Sequence, residues 1–114
     1  EAQADASLLE QVFINLVTNS VKFSWNVLSP TIRFGFDHSI DEGAYFVSDN
    51  GIGFSEEEAR TIFAPFQRLK GSSGVPGSGI GLAIVRRIIE AHGGKVWAQS
   101  SPGDGATFYF TLPA

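Results

Sequence analysis

The sequence predicts an α+β fold, a two-layer α/β sandwich with three helices on one face of a mixed β-sheet. Two long segments repeat apolar residues at spacings of three and four, which indicates amphipathic helices. Four short segments are rich in aromatic and β-branched residues, which is typical of strands. The order is helix, two strands, helix, loop, helix, two strands, and helices with one apolar face must be buried against the sheet.

Length and composition limit the class of protein. The 114 residues fit one domain, so we expect residues 1–114 to form a single domain. The absence of cysteine excludes disulfides and cysteine-ligated metals, and a net charge of −4 argues against nucleic acid as a partner. No apolar run approaches the roughly 20 residues of a membrane span. Because the chain contains no methionine, even at position 1, we expect it to be part of a longer protein.

The first half of the chain predicts one helix and two strands. The helix covers residues 7–23, and Ser7 followed by Glu10 indicates a capping box at its start. Its apolar face comprises Leu8, Leu9, Val12, Phe13, Leu16 and Val17. The two strands cover residues 31–37 and 44–48, with a turn between them.

The second half predicts two helices and a final hairpin. A short helix covers residues 55–63 and opens with a second capping box, Ser55 and Glu58. A glycine- and serine-rich loop leads into a long helix over residues 80–92, which ends before two glycines. The last two strands cover residues 95–100 and 106–112.

Three polar residues on the first helix form the first candidate site. Asn15, Asn19 and Lys22 are four and three residues apart, so they project from one stripe. Two amides and an ammonium can hold a hydrated Mg²⁺ and a phosphate chain, since magnesium keeps waters and needs few protein ligands. The alternative is the solvated face of an amphipathic helix.

Two further candidates are turns that contain glycine. Asp49 directly follows a strand, and its carboxylate could accept a hydrogen bond from an amino group of a flat ligand. Gly51 and Gly53 would let the backbone approach that ligand. The alternative is an ordinary turn. The last hairpin turn, residues 103–107, has little significance alone, although Thr107 could bring a hydroxyl near Asp49.

The start of the third helix is a candidate anion site. Residues 76–82 contain glycine at alternate positions before an apolar helix, and the free N–H groups of a helix N-terminus bind anions. A dinucleotide-binding fingerprint is rejected because its spacing differs and a strand should precede it. A plain linker is the remaining alternative, although linkers do not usually lead into such a helix.

Together, these elements resemble the catalytic ATP-binding domain of sensor histidine kinases, within the Bergerat-fold group that includes gyrase and the heat-shock chaperone ATPases. The resemblance extends from Asp5 to Pro113 and includes five motifs in order. They are an asparagine box (15–23), a first glycine box (49–53), a phenylalanine box (63–66), a second glycine box (77–82) and a third (103–107).

The resemblance implies a role for each matching residue. Asn19 would bind Mg²⁺, Asn15 would support it and Lys22 would reach the phosphates. Asp49 would accept a hydrogen bond from the adenine amino group, with help from Thr107. Arg68 would contact the γ-phosphate. The other positions implied to contact the nucleotide are Phe23, Gly51, Gly53, Ile62, Phe63, Phe66, Gly77, Ser78, Gly79, Ile80, Gly81 and Leu82.

The resemblance also implies an activity. ATP-hydrolysing relatives carry glutamate where this chain has Asn15, and asparagine cannot act as a general base. We therefore expect a cytoplasmic kinase domain, in a soluble or membrane-anchored parent, that phosphorylates a histidine on a dimeric helical domain and so serves a response regulator. The fragment should be monomeric and bind ATP without autophosphorylation. The alternatives are a Bergerat-fold ATPase and a non-catalytic nucleotide-sensing module.

Overall fold

The computed structural model describes residues 6–22, 24, 28–40, 43–64, 81–101 and 103–112. Each predicted helix and strand is present, and no end differs from the prediction by more than two residues. The elements are α1 (Ala6–Lys22), β1 (Ile32–Asp37), β2 (Ala44–Asp49), α2 (Glu56–Thr61), α3 (Gly81–Ala91), β3 (Val96–Ser100) and β4 (Ala106–Phe110). No helix within these ranges has both the length and the apolarity to cross a membrane.

The described strands form one sheet in the order β1-β2-β4-β3. All three pairings are antiparallel, which corrects the expectation of a mixed sheet for this part of the chain. The short connections from β1 to β2 and from β3 to β4 allow only hairpins, because a parallel pair needs a longer crossover. The α+β class is confirmed.

One hydrophobic core joins the helices to the sheet. From α1 and α3 it takes Val12, Leu16, Val85 and Ile89, and from the strands Val47, Phe108 and Phe110, all with at most 1% of their surface exposed. Burial of each such side chain stabilises the fold by roughly 1.5–3 kcal/mol. The apolar faces that the sequence predicts for the helices and strands thus pack against one another.

Alternation along the strands gives the sheet two different faces. Val47 and Asp49 face the helices, whereas their neighbours Phe46 and Ser48 point to the outer face. On that outer face the ring of Tyr109 stacks on Trp97 at a centroid distance of 5.2 Å and lies 6.4 Å from the ring of Phe46. Along β2 and β4, therefore, only every second side chain faces the helices.

The two predicted capping boxes have different outcomes. Ser55 caps α2: its hydroxyl accepts the Glu58 N–H at 3.0 Å, and the Glu58 carboxylate accepts the Ser55 N–H at 3.0 Å. Helix α1 begins at Ala6, so Ser7 is its second residue. Since an N-cap residue must have non-helical dihedral angles, the prediction that Ser7 caps α1 is wrong.

Candidate functional site

Helix α1 packs over the hairpin formed by β1 and β2. The Phe13 ring contacts that of Phe110 at a centroid distance of 5.5 Å, and Phe110 is paired with Tyr45 at the start of β2. Among the described residues of β1, only Ile32 packs against the core, and it is paired with Asp49. Helix α1 contacts both β2 and β1.

The predicted polar stripe lies on the half-buried border of this helix. Asn15, Asn19 and Lys22 all have intermediate exposure, between the buried side of α1 and its exposed residues such as Ile14 and Val21. The Nδ2 atom of Asn19 is buried and has no hydrogen-bond partner within the described part of the chain. The stripe therefore presents an amide whose N–H groups find no acceptor among the described residues.

The start of α3 adjoins this stripe. A β-carbon placed on Gly81 would lie 3.5 Å from the Asn15 Oδ1 atom, in ordinary van der Waals contact. Leu82, the next residue, is buried in the core. The structure thus brings part of the asparagine box to the second glycine box, while Gly77, Ser78, Gly79 and Ile80 lie outside the described residues.

Asp49, the last residue of β2, is 7% exposed and faces the helix side. Its Oδ1 atom accepts the N–H groups of Gly51 at 2.9 Å and of Ala106 at 3.3 Å. Its Oδ2 atom is buried without a partner among the described residues. A carboxylate oxygen in that position costs free energy unless something donates to it, which is the property expected of a ligand acceptor.

The turn after Asp49 requires glycine for structural reasons as well. Gly53 has φ +67°, and a β-carbon on it would lie 2.2 Å from the carbonyl oxygen of Ser101. Gly51 is buried and donates to the carboxylate. The first glycine box therefore holds Asp49 in place and packs the turn against the β3–β4 connection.

Thr107 does not support Asp49, which corrects the expectation of a contact between them. Thr107 is paired with Ser48, and their hydroxyl oxygens lie 2.9 Å apart on the outer face. The residue paired with Asp49 is Ala106, whose backbone N–H reaches the carboxylate. Because strand side chains alternate between faces, the shift of one residue moves the hydroxyl away from the site.

The described residues include Phe63, the first residue of the phenylalanine box, and Ile62 directly before the box. Ile62 and Phe63 are buried in the core, and the Phe63 ring meets that of Phe108 edge-on at a centroid distance of 6.3 Å. These contacts give them a packing role. The predicted contacts of Phe23, Phe66 and Arg68 lie outside the described residues.

Two buried serines near this site were missed by the sequence prediction. Among the described residues, four buried side-chain polar atoms have no hydrogen-bond partner: Asn19 Nδ2, Ser20 Oγ, Ser24 Oγ and Asp49 Oδ2. All four come from the C-terminal end of α1, the residues just after it, and the end of β2. Ser20 follows Val12 and Leu16 on the buried stripe, so a polar interruption of that stripe was the available signal.

A separate cleft of about 540 Å³ lies between α2, α3 and β3. Its lining includes Phe63, Trp97 and Arg60, and on its rim Arg86 pairs with Glu90 at 3.2 Å. It contains neither asparagine of the stripe nor Asp49. The candidate site residues of α1, of the start of α3 and of the end of β2 lie outside this cleft.

The chain is similar to known proteins of one family. The family model for histidine kinase-, DNA gyrase B- and HSP90-like ATPases matches residues 4–114. The chain is 44% identical over 110 residues to the phytochrome-like protein Cph1 of Synechocystis, covering 96% of this chain and 15% of that protein. It is 44% identical over 112 residues to the adaptive-response sensory kinase SasA of Prochlorococcus marinus, covering 96% and 29%. The chain thus spans less than a third of these relatives.

Solved structures show the same fold. The mycobacterial sensor histidine kinase MprB matches with a TM-score of 0.86 at 26% identity, over 98% of this chain and 76% of that one. Full-length ShkA, solved in complex with AMPPNP, matches with a TM-score of 0.79 at 32% identity, over 98% and 22%. The chain therefore belongs to the histidine kinase-, DNA gyrase B- and HSP90-like ATPase family, in the group formed by the catalytic domains of histidine kinases.

Proposed function

We propose that this domain binds ATP with Mg²⁺ at the corner between α1, α3 and β2, and that it donates the γ-phosphate to a histidine of a phosphoacceptor domain. The observation that carries the proposal is the free Oδ2 atom of Asp49, buried at the end of β2 and fixed through its sister oxygen. An ATPase family and a relative solved with AMPPNP support the ligand class.

The base is bound at Asp49. The exocyclic amino group of adenine donates a hydrogen bond to Oδ2, while the N–H groups of Gly51 and Ala106 hold Oδ1. Guanine presents a carbonyl at the same position, and two acceptors facing each other repel. The pocket therefore selects adenine over guanine by charge and hydrogen-bond polarity.

The phosphates are bound at the polar stripe and the start of α3. Lys22 in the last turn of α1 supplies a positive charge, and the free N–H groups at the start of α3 attract an anion. The family resemblance adds Arg68 and the glycines of residues 77–81 to this end of the site. These groups orient the triphosphate and offset its charge, which is most of what phosphoryl transfer requires of a protein.

The donor set suits magnesium. No group of three histidine, cysteine or acidic side chains occurs among the described residues, so a metal cage built from protein ligands is absent there. Mg²⁺ needs only one or two protein oxygens besides phosphate and water, and the unsatisfied amide of Asn19 can present its oxygen by rotation. When bound, the ion neutralises charge on the phosphate oxygens.

Two features favour a kinase over an ATPase. Asn15, on the stripe beside Asn19, has no basic group that could activate water. A neutral imidazole from another domain already carries a lone pair, so this domain needs only to position the γ-phosphate. Neither described histidine is suited to that role: His92 is bound through Nδ1 to the Ile88 carbonyl at 2.7 Å, and His38 lies against Phe36 away from the stripe.

The parent protein follows as part of the proposal. A dimeric helical domain carries the accepting histidine, and an aspartate of a response regulator receives the phosphoryl group next. The kinase domain works in the cytoplasm, as one domain of a longer chain. By itself it is monomeric and binds nucleotide without phosphorylating itself.

Calorimetric titration of the domain with ATP, in Mg²⁺ and in EDTA, tests this proposal. We expect Mg²⁺ to strengthen ATP binding, Asn19→Ala to abolish the Mg²⁺ effect and Thr18→Ala, an exposed neighbour on α1, to preserve it. Absence of ATP binding would refute the proposal. Steady ATP hydrolysis by the isolated domain, lost in Asn19→Ala, would favour the ATPase instead.

A further inference from the structure

Strand β3 is an edge strand in the part of the chain that the structure describes, with β4 as its neighbour on one side. The Thr111 N–H donates to the Lys95 carbonyl at 2.9 Å, so this carbonyl points to β4. Backbone groups alternate in direction along an antiparallel strand, so those of Trp97 also point to β4. The N–H and C=O groups of Val96 and Ala98 therefore point away from the sheet, and none of them is hydrogen-bonded to another described segment.

The cleft between α2, α3 and β3 includes this open edge in its lining. Val96, Trp97 and Ala98 all line it, and Phe63 and Ala59 add apolar surface. Its volume of about 540 Å³ lies within the range typical of ligand pockets. Unpaired backbone groups and a space large enough for a side chain therefore occur next to each other.

One positive charge on the rim of this cleft has no partner among the described residues. Arg86 and Glu90 of α3 pair with each other at 3.2 Å, whereas the exposed Arg60 of α2 forms no ion pair with a described residue. Glu56, the other charged residue of the lining, lies in the first turn of α2, where the helix N-terminus attracts negative charge. The charge left to be complemented is that of Arg60, which favours an acidic side chain.

We propose that the β3 edge and this cleft form a docking site for an extended segment of a partner protein, which pairs with β3 as an additional antiparallel strand. The N–H and C=O groups of Val96 and Ala98 supply the backbone hydrogen bonds. Every second side chain of the segment points to the cleft, where a large aliphatic group contacts Phe63 and an acidic group pairs with Arg60. Strand addition of this kind takes its affinity from the main chain and its specificity from pockets for alternate side chains.

The edge is short, and its chemistry argues against a second copy of this chain. At the far end of β3, the Ser100 hydroxyl accepts the Phe54 N–H at 2.8 Å, so the turn before α2 occupies that end. Val96, Ala98 and Ser100 are the β3 residues that face the helices, and none is acidic, so β3 of a second copy would leave Arg60 unpaired. The remaining alternative is an edge that stays solvated.

The docking site is separate from the proposed nucleotide site. Its lining contains neither Asp49 nor an asparagine of the stripe. The inference therefore goes beyond the proposed function and does not depend on it. Peptide binding should be the same with and without ATP.

The probe is the peptide acetyl-Thr-Val-Thr-Leu-Thr-Glu-Thr-amide, whose valine, leucine and glutamate share one face of a strand. Amide hydrogen exchange, measured by NMR, should be fast at Val96 and Ala98 and slow at Trp97 in the free domain. At ten times its Kd, the peptide should slow exchange at Val96 and Ala98 by about tenfold. Slow exchange at these two residues in the free domain would show that the edge is already covered and would overturn the proposal.

Two methylated peptides distinguish strand pairing from simple occupation of the cleft. In an antiparallel pair, the residues that face the cleft direct their N–H groups to β3. Methylation of the leucine nitrogen should therefore weaken binding by at least about tenfold. Methylation of the next threonine nitrogen, which points to solvent, is the matched control and should change the affinity by less than about threefold. Equal losses, or no binding of the parent peptide, would refute the docking site.

The charge pairing is tested with Arg60→Gln and with Arg87→Gln, an exposed α3 residue outside the cleft. The wild type and Arg87→Gln should prefer the peptide over its glutamine analogue by about threefold, as expected for an exposed ion pair. Arg60→Gln should show no preference, and an unchanged preference would refute the role of Arg60. Dimerisation of the domain that protects Val96 and Ala98 would overturn the proposal in favour of a second copy. Loss of ATP binding with intact peptide binding would contradict only the proposed function.

Discussion

The backbone of Gly105 approaches Asp49 so closely that a β-carbon on Gly105 would lie 2.0 Å from the carbonyl oxygen of Asp49. The following residue, Ala106, donates its N–H to the Asp49 carboxylate at 3.3 Å. The third glycine box therefore acts on the candidate site through its backbone. It holds the end of β2 and the carboxylate in one orientation, with no side chain of its own at the site.

Substitution of Gly105 should reveal this close approach. Gly105→Ala should lower the free energy of unfolding by about 3 kcal/mol or more, because φ is +75° and the new methyl would overlap the Asp49 backbone. Gly103→Ala is the matched control, since φ is +84° but nothing lies within 4 Å of the added carbon. That control should lose only about 1 kcal/mol. Equal losses in urea unfolding would contradict the packing argument.

Acid should weaken one local interaction in the β1–β2 connection. The Ser39 side chain and backbone both donate to Asp37 Oδ1, at 2.6 and 2.9 Å, and these hydrogen bonds lower the pKa of Asp37 below its usual value of 3.8. A lowered folded-state pKa gives stability that is present above the unfolded-state pKa and is lost as pH falls through the folded-state pKa. The loss therefore begins below about pH 4.

Ser39→Ala checks this linkage. Titration of the Asp37 carboxyl by NMR should give a higher pKa in Ser39→Ala than in the wild type, and the variant should lose less stability on acidification. Ser101→Ala, a substitution at another exposed serine, should leave the Asp37 titration unchanged. An unchanged Asp37 pKa in Ser39→Ala would show that the hydrogen bond from the Ser39 hydroxyl does not stabilise the carboxylate in solution.

Lys22 should contribute to affinity only through the phosphates. Lys22→Met should weaken ATP binding by about tenfold and leave adenosine binding within twofold, since a charge-assisted hydrogen bond contributes about 1.5–3 kcal/mol. Lys95→Met, which removes an exposed lysine before β3, is the control and should bind both ligands as the wild type does. Equal losses for ATP and adenosine would mean that Lys22 acts on the fold or on the base.

The sequence was sufficient to predict the elements because each has a periodic pattern and a clear stop. It also placed Asn15, Asn19 and Lys22 on one stripe, since helical spacing is regular. Thr107 was assigned incorrectly because the face of a strand residue depends on pairing register, and a one-residue difference inverts it. The register between β2 and β4 is set by their pairing in the folded sheet, so it cannot be read from either strand alone.

The missed residues have a different cause. In the sequence, Ser20 is visible only as one polar interruption of the apolar stripe of α1, and its burial without a hydrogen-bond partner among the described residues appears only in the structure. The antiparallel pairing of β2 with β4 also joins residues distant in sequence, so local patterns could not specify it. Apart from the Ser7 cap, predictions from local patterns held where the interaction is local and failed where tertiary pairing decides.

The central claim is that the Asp49 carboxylate accepts a hydrogen bond from the adenine amino group. The substitution Asp49→Asn tests this claim most directly. Asparagine can still accept the Gly51 and Ala106 N–H groups through Oδ1, so the fold should persist, but it presents an N–H donor where Oδ2 stood. We expect ATP affinity, measured by calorimetry, to fall by at least about tenfold, with Asp104→Asn, a change in the exposed β3–β4 turn, binding as the wild type. A folded Asp49→Asn variant that binds ATP within twofold of the wild type would contradict the claim.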